Sequence, residues 1–72
     1  MLRGDRLKLL RREKGKMQKD VANHLGISER GYQHYELGER KPDIPMLIAL
    51  ADYFGVSTDY LLDRTDRREV SK

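Results

Sequence analysis

The sequence predicts an all-α protein built from five short helices. Apolar residues recur at helical spacing, and no segment shows the sustained alternation of a strand. Residues that favour helix N-caps precede several of these segments, and glycines that can end a helix follow them. With 72 residues and no cysteine, the chain has room for one small domain, which must be stabilised by helix packing rather than by disulfides or thiolate metal sites.

The predicted helices span about residues 5–14, 17–25, 29–37, 44–54 and 58–62. Their expected N-caps are Asp5, Ser28, Asp43 and Ser57, while Met17, which starts the second helix, is a weaker cap. A glycine follows each of the first four helices. The fourth helix is the most apolar, so we expect it to supply most of the core through Met46, Leu47, Leu50, Ala51 and Phe54.

We expect a single helical domain over residues 1–62 and a flexible basic tail over 63–72, because the tail lacks apolar periodicity. Charge is divided along the chain. Residues 1–41 hold 11 Lys/Arg against 6 Asp/Glu, whereas residues 42–63 hold 0 against 4. The first part therefore offers a surface suited to a polyanion, although the same charges can simply solvate helix faces. Because the longest apolar run of the N-terminal segment is Leu9-Leu10, we expect no signal peptide and a cytoplasmic protein.

The segment of about residues 17–37 has the pattern of a helix-turn-helix. Counted from Gln18, the positions that must be buried hold only apolar or aromatic residues: Val21, Leu25, Ile27, Tyr32 and Tyr35. Ala22 is small enough for close helix packing, and Gly26 can adopt the positive φ of the turn. An ordinary helical hairpin would satisfy the apolar positions alone, but the alanine and glycine requirements make that alternative weaker.

Five motifs support a family assignment in chain order: RLKLLR, Gln18, LGIS, YELGERKP and LIALADYFGVSTDYLL. With them, residues 6–63 resemble the lambda repressor-like helix-turn-helix domain of the Xre or Cro type. The resemblance implies a five-helix lambda repressor-like DNA-binding domain that binds double-stranded operator DNA as a dimer, with its third helix in the major groove. It implies a transcriptional regulator with neither enzyme activity nor cofactor, and we expect this regulator to be a repressor.

Carried over from the family, the expected base contacts are Glu29, Arg30, Gln33 and His34. Arg30 can fork onto guanine O6 and N7, Gln33 can pair with adenine N6 and N7, and Glu29 can accept from cytosine N4. His34 can donate to a base or a phosphate. Alternatively, Glu29 only favours the helix N-terminus and Arg30 grips phosphate.

The expected phosphate contacts are Gln18, Lys16, Lys19, Ser28, Arg40 and Lys41. The resemblance assigns Arg11 and Glu36 to a structural salt bridge between the first and third helices. Ala22 and Gly26 have the structural roles given above. Tyr32 is bulkier than the residue usual in the family, so its hydroxyl must reach the surface or find a partner.

The remaining residues predict no catalytic site and no metal site, since His24 and His34 lie ten residues apart without cysteine ligands. We expect a homodimer formed through the C-terminal helix by any exposed apolar side chains among Val56, Tyr60, Leu61 and Leu62. Two alternatives to a repressor stay open. One is an antitoxin-like or adaptor subunit that binds a protein, and the other is a restriction-modification controller.

Overall fold

The computed structural model describes residues 2–69. Within that range the chain forms five helices: α1 (Gly4–Glu13), α2 (Gln18–Leu25), α3 (Glu29–Glu36), α4 (Ile44–Phe54) and α5 (Thr58–Leu61). The described part contains no strand. The prediction of an all-α, five-helix domain is therefore confirmed.

The helix starts follow the predicted caps with one exception. Ser28, Asp43 and Ser57 each accept a hydrogen bond from the backbone N–H three residues later. Asp5 as the cap of α1 was wrong, because the helix begins one residue earlier, after Arg3, and has no side-chain cap. The Asp5 carboxylate instead binds the Arg3 guanidinium at 2.6 and 2.8 Å, which stabilises its charge in the first turn.

The helix-turn-helix is formed by α2 and α3, which pack against each other. Gly26 takes φ 72° at the turn, and Ile27 N donates to Ala22 O at 3.0 Å. Val21, Ala22 and Tyr32 are fully buried. The sequence pattern therefore located the turn correctly, but of the five positions expected to be buried Leu25 and Ile27 are only partly buried, at the edge of the core.

The core draws on all five helices rather than mainly on α4. Of the five α4 residues expected there, only Leu50 and Ala51 are buried, and the other three are partly exposed at its edge. The centre is completed from the other helices by Leu7, Leu10, Val21, Tyr32 and Leu61. Since α4 packs on α2 and α5, part of its apolar surface remains at the outside of the domain.

The predicted dimer surface needs a correction. Val56, Tyr60 and Leu61 are 3%, 6% and 0% exposed, because they pack into the core of their own chain. Only Leu62 of the four is not buried. Side chains enclosed in one subunit cannot join two, so Val56, Tyr60 and Leu61 do not form the predicted dimer surface.

Residues 65, 66 and 68, in the first part of the predicted flexible basic tail, make contacts with the helical domain. Arg6 is 9% exposed, and its guanidinium donates to Thr65 O and Asp66 Oδ1, both at 2.8 Å. Ser57 N donates to Arg68 O at 2.8 Å. These contacts give the first part of the tail a defined place, while residues 70–72 of the predicted tail lie outside the described residues. Its flexibility stays a prediction.

Two contacts between α1 and α3 fix the angle of α3, and the first is a close approach at Gly4. A Cβ atom built on Gly4 would overlap the backbone carbonyl oxygens of Tyr35 and Glu36 at the end of α3. The absence of a side chain therefore lets the start of α1 touch the backbone of α3 directly.

The second contact is the ion pair of Arg11 and Glu36, which confirms the salt bridge that the family resemblance implied. Arg11 donates to both oxygens of Glu36, at 2.7 and 3.3 Å, and the two side chains are only 12% and 3% exposed. Burial opposes the charge on Glu36, but the interactions of this carboxyl with Arg11, Tyr32 and Gln18 outweigh it and hold its pKa below the usual value. The Tyr32 hydroxyl is withdrawn from solvent and makes no hydrogen bond of good geometry within the described residues, but it interacts with the Glu36 carboxylate. Of the two expected outcomes, exposure is therefore wrong and a partner is found.

Gly4→Ala should lower the free energy of unfolding by about 1 to 3 kcal/mol, because the new methyl group overpacks against backbone that cannot rotate away. Alanine has the higher helix propensity, so propensity alone predicts the opposite sign. Urea unfolding of this variant measures the change. Lys8→Ala, an exposed change in the same helix, is the control and should shift stability by less than about 0.5 kcal/mol. A stabilised Gly4→Ala protein would contradict the close contact.

Glu36→Gln should lower the free energy of unfolding at pH 7 by about 3 kcal/mol, since it leaves the buried Arg11 charge without its partner. The matched control is Glu13→Gln, which removes a carboxylate from the exposed pair with Arg68 and should cost at most about 1 kcal/mol. Equal losses in the two variants, measured by urea unfolding, would show that the Arg11–Glu36 pair has no special weight.

The stability lost in Glu36→Gln should also depend on pH. The folded pKa of Glu36 lies below its ordinary 4.5, so its stabilising contribution is complete above that pH and is lost as the pH falls through the folded value. The difference in stability between wild type and Glu36→Gln should therefore narrow below pH 4.5. A difference that stays constant down to about pH 3 would contradict the assignment.

Candidate nucleic-acid interface

One face of α3 is turned away from the core. Gly31, Tyr32 and Tyr35 point inward and are buried, which is the spacing expected for a helix with a single packed side. All four predicted base contacts lie on the remaining surface. Glu29 and Arg30 are exposed in the first turn, and Gln33 and His34 are half-buried one turn later. The structure thus brings these four side chains together on α3.

Arg30 differs from four arginines elsewhere in the domain. Arg3, Arg6, Arg11 and Arg68 all pair with carboxylates. Arg30 is exposed and makes no hydrogen bond or ion pair with any other residue between 2 and 69. Its five N–H donors are therefore available to a ligand that approaches the start of α3.

A chain of hydrogen bonds runs beneath this face and links both helices of the helix-turn-helix. Gln18 Nε2 donates to Glu36 Oε1 at 3.1 Å, extending the Arg11 pair to the start of α2. Gln33 Nε2 then donates to Gln18 Oε1 at 3.0 Å and, more weakly, to Glu29 Oε2 at 3.4 Å. The predicted base contacts Gln33 and Glu29 are thereby connected to Gln18, a predicted phosphate contact. Gln18 in turn connects them to the Arg11–Glu36 ion pair.

The sequence predicted a role for every residue in this series of hydrogen bonds, but it did not predict that the residues bond to one another. Gln18 and Gln33 are 15 residues apart, and no local spacing rule joins residues on two different helices. Their contact follows from the angle at which α2 and α3 cross at Gly26. The signal that was available, glutamine at the first helix-turn-helix position, indicates a role at the surface but not the partner.

His34 also has a partner that the sequence analysis did not foresee. Its Nδ1 lies 3.1 Å from Glu39 Oε1 in the loop after α3. Because a carboxylate can only accept, Nδ1 carries the proton in this contact. A neutral His34 then presents Nε2 as an acceptor, and it donates to phosphate through Nε2 only when the ring is protonated.

The six predicted phosphate contacts lie around the same face. Lys16 and Lys19 are exposed beside the start of α2, and Ser28 is exposed at the start of α3 with its oxygen already used as the cap. Lys41 is exposed in the loop after α3. The Arg40 guanidinium lies 5.5 Å from the centre of the Tyr35 ring, so this loop folds back over α3. Cations therefore flank α3 on the α2 side and on the loop side.

The described residues were also compared with the requirements of a metal site and of a membrane-spanning helix. No group of three or more His, Cys, Asp and Glu side chains within residues 2–69 is placed to hold a metal ion. The His24 ring packs against Tyr53, with 4.5 Å between ring centres. None of the described helices has the length and apolar character needed to cross a membrane.

Residues 4–67 match the family model described as a helix-turn-helix domain. The chain is 47% identical over 62 residues to YonR, an HTH-type transcriptional regulator of the SPbeta prophage in Bacillus subtilis, covering 86% of this chain and 57% of that protein. It is 42% identical over 69 residues to ImmR, an HTH-type transcriptional regulator of the same organism, covering 96% and 52%.

A third relative is RstR of Vibrio cholerae, a cryptic phage CTXphi transcriptional repressor that is 37% identical over 60 residues, covering 83% of this chain and 54% of RstR. The chain spans about half the length of the curated relatives it matches. The matched family model, the shared sequence and the exposed face of α3 agree, and this chain belongs to the Xre-like helix-turn-helix family of DNA-binding transcriptional regulators.

Proposed function

We propose that this protein is a sequence-specific repressor of transcription that binds double-stranded operator DNA as a homodimer and reads the major groove with α3. The observation that carries the proposal is the outward face of α3. It presents an unpaired arginine, Arg30, beside Gln33, whose amide is held in place by Gln18. Unpaired donors on a fixed helix suit the edges of base pairs, which are recognised by short hydrogen bonds of defined direction.

Charge supports the same orientation on DNA. The predicted phosphate contacts Lys16 and Lys19 lie at one side of α3, and Arg40 and Lys41 follow it on the other. Residues 42–63, which contain α4 and α5, hold no Lys or Arg and four Asp. With α3 in the groove the cations meet the two phosphate backbones, and the acidic part is turned away from them.

Repression is the regulatory direction we infer, because RstR is named a transcriptional repressor. Residues 4–67 provide the DNA-binding part that this role requires. A repressor acts by occupying its operator, so it needs no surface for polymerase and no catalytic group.

The homodimer remains part of the proposal, but its contact surface differs from the sequence prediction. Val56, Tyr60 and Leu61 are enclosed in the core, so the contact must involve other residues. Large apolar side chains that stay exposed in the described part include Leu37, Ile44 and Ile48, at 70%, 73% and 48%.

Selection from random duplex DNA tests the proposed function. We expect a recovered site with two related half-sites about 10 base pairs apart, the spacing that places two recognition helices on one side of the duplex. Recovery of a single half-site would contradict only the homodimer, and sequence-specific binding would still stand. If no sequence is enriched, the protein is not a sequence-specific regulator, and the adaptor alternative would be favoured.

Arg30→Ala should weaken binding to the selected site by about 1 to 3 kcal/mol and relax the preference at one base position. The matched control is Arg67→Ala, which removes the same charge from an exposed position outside the interface and should leave the base preference intact. Binding isotherms on the selected site and on single-base variants measure both effects. An unchanged base preference in Arg30→Ala would show that this arginine contacts only phosphate.

A further inference from the structure

Two carboxylates, Glu36 and Glu29, stand at the two ends of the series of hydrogen bonds beneath the α3 face. Because a carboxylate can only accept, they determine the direction of each hydrogen bond between them. Glu36 is ion-paired with Arg11 and can only accept, so Gln18 must turn its amide nitrogen toward Glu36. The oxygen of the Gln18 amide is then left facing Gln33. Reversing Gln18 would break its bond to Glu36 and set two oxygens against each other.

The Gln33 amide is therefore fixed in one orientation. Its nitrogen donates to Gln18 Oε1 at 3.0 Å and to Glu29 Oε2 at 3.4 Å, so the amide nitrogen is turned toward acceptors within the protein. Neither Gln18 Oε1 nor the Glu29 carboxylate can donate in return. A flipped Gln33 would lose both bonds, and its oxygen is consequently the group left free for a ligand.

We propose that Gln33 meets DNA only as a hydrogen-bond acceptor and thereby selects the exocyclic amine of adenine or cytosine. In the major groove the only base donors are adenine N6 and cytosine N4, while guanine and thymine present acceptors there. Bidentate pairing with adenine also requires an N–H group for N7, whereas the Gln33 amide nitrogen is already turned toward Gln18 and Glu29. This inference rests on the proposed function, since it specifies what the α3 face reads.

The neighbouring side chains divide the reading face into two chemical types. Glu29 is an acceptor beside Gln33, and its second oxygen extends the same acceptor surface. Arg30 next to it is purely a donor and suits guanine O6 and N7. The two types face different base atoms, so the Gln33 position can be examined separately from the Arg30 position.

The test begins with the site selected by the wild-type protein. Repeating the selection with Gln33→Ala identifies the base pair whose preference is lost. At that base pair, one duplex lacks the exocyclic amine, with purine in place of adenine or 2-pyrimidinone in place of cytosine. A second duplex keeps the amine but lacks N7, with 7-deazaadenine or 7-deazaguanine as its purine.

Removal of the amine should weaken wild-type binding at least about fivefold, as expected for one lost hydrogen bond, and removal of N7 should change it less than about twofold. The amine deletion should have little effect on binding by Gln33→Ala, because that variant has no acceptor to lose. The two wild-type measurements decide between acceptor-only and bidentate reading even if this variant folds poorly.

Comparable losses from the two deletions would overturn the proposal in favour of bidentate reading of adenine, with the Gln18 bond broken on binding. A Gln33→Ala selection that loses no base preference would overturn it as well, by showing that Gln33 reads no base. Both results leave the proposed function intact, because the wild type still selects an operator. If the wild type selects no sequence, the proposed function fails first.

Discussion

The geometry of the proposed DNA-binding face depends on the buried ion pair between Arg11 and Glu36. It joins α1 to the last residue of α3, with both side chains largely withdrawn from solvent. A buried pair of this kind gains little stability over apolar packing, but the loss of either partner is costly. Its effect here is geometric, because together with the contact at Gly4 it holds the end of α3 against α1.

The same pair also organises the surface chemistry. Glu36 accepts from Gln18 as well as from Arg11, and Gln18 in turn accepts from Gln33. A structural contact in the interior thus determines which atoms of the outer face can donate and which can accept. Such preorganisation lowers the entropy lost on binding, since a side chain that is already held need not be ordered by the ligand.

Most of the fold followed from the sequence because its signals are local. Ser28 and Asp43 as caps and Gly26 at the turn each act within a few residues. The errors arose where tertiary packing decides. Tyr60 lies on a short apolar helix whose burial depends on α1, and its ring packs under the Arg6 guanidinium at 4.1 Å. The link from Gln18 to Gln33 likewise crosses two helices, and helical periodicity does not report such contacts.

The most direct test of the account is a backbone and side-chain NMR titration with a short DNA duplex at low salt. We expect the largest shift changes at the start of α2, along α3 and at Arg40 and Lys41, including the Gln33 side-chain amide, with few changes over residues 42–63. Changes concentrated in α4 and α5, with α3 unaffected, would contradict the claim that the face held by Arg11 and Glu36 is the one that meets DNA.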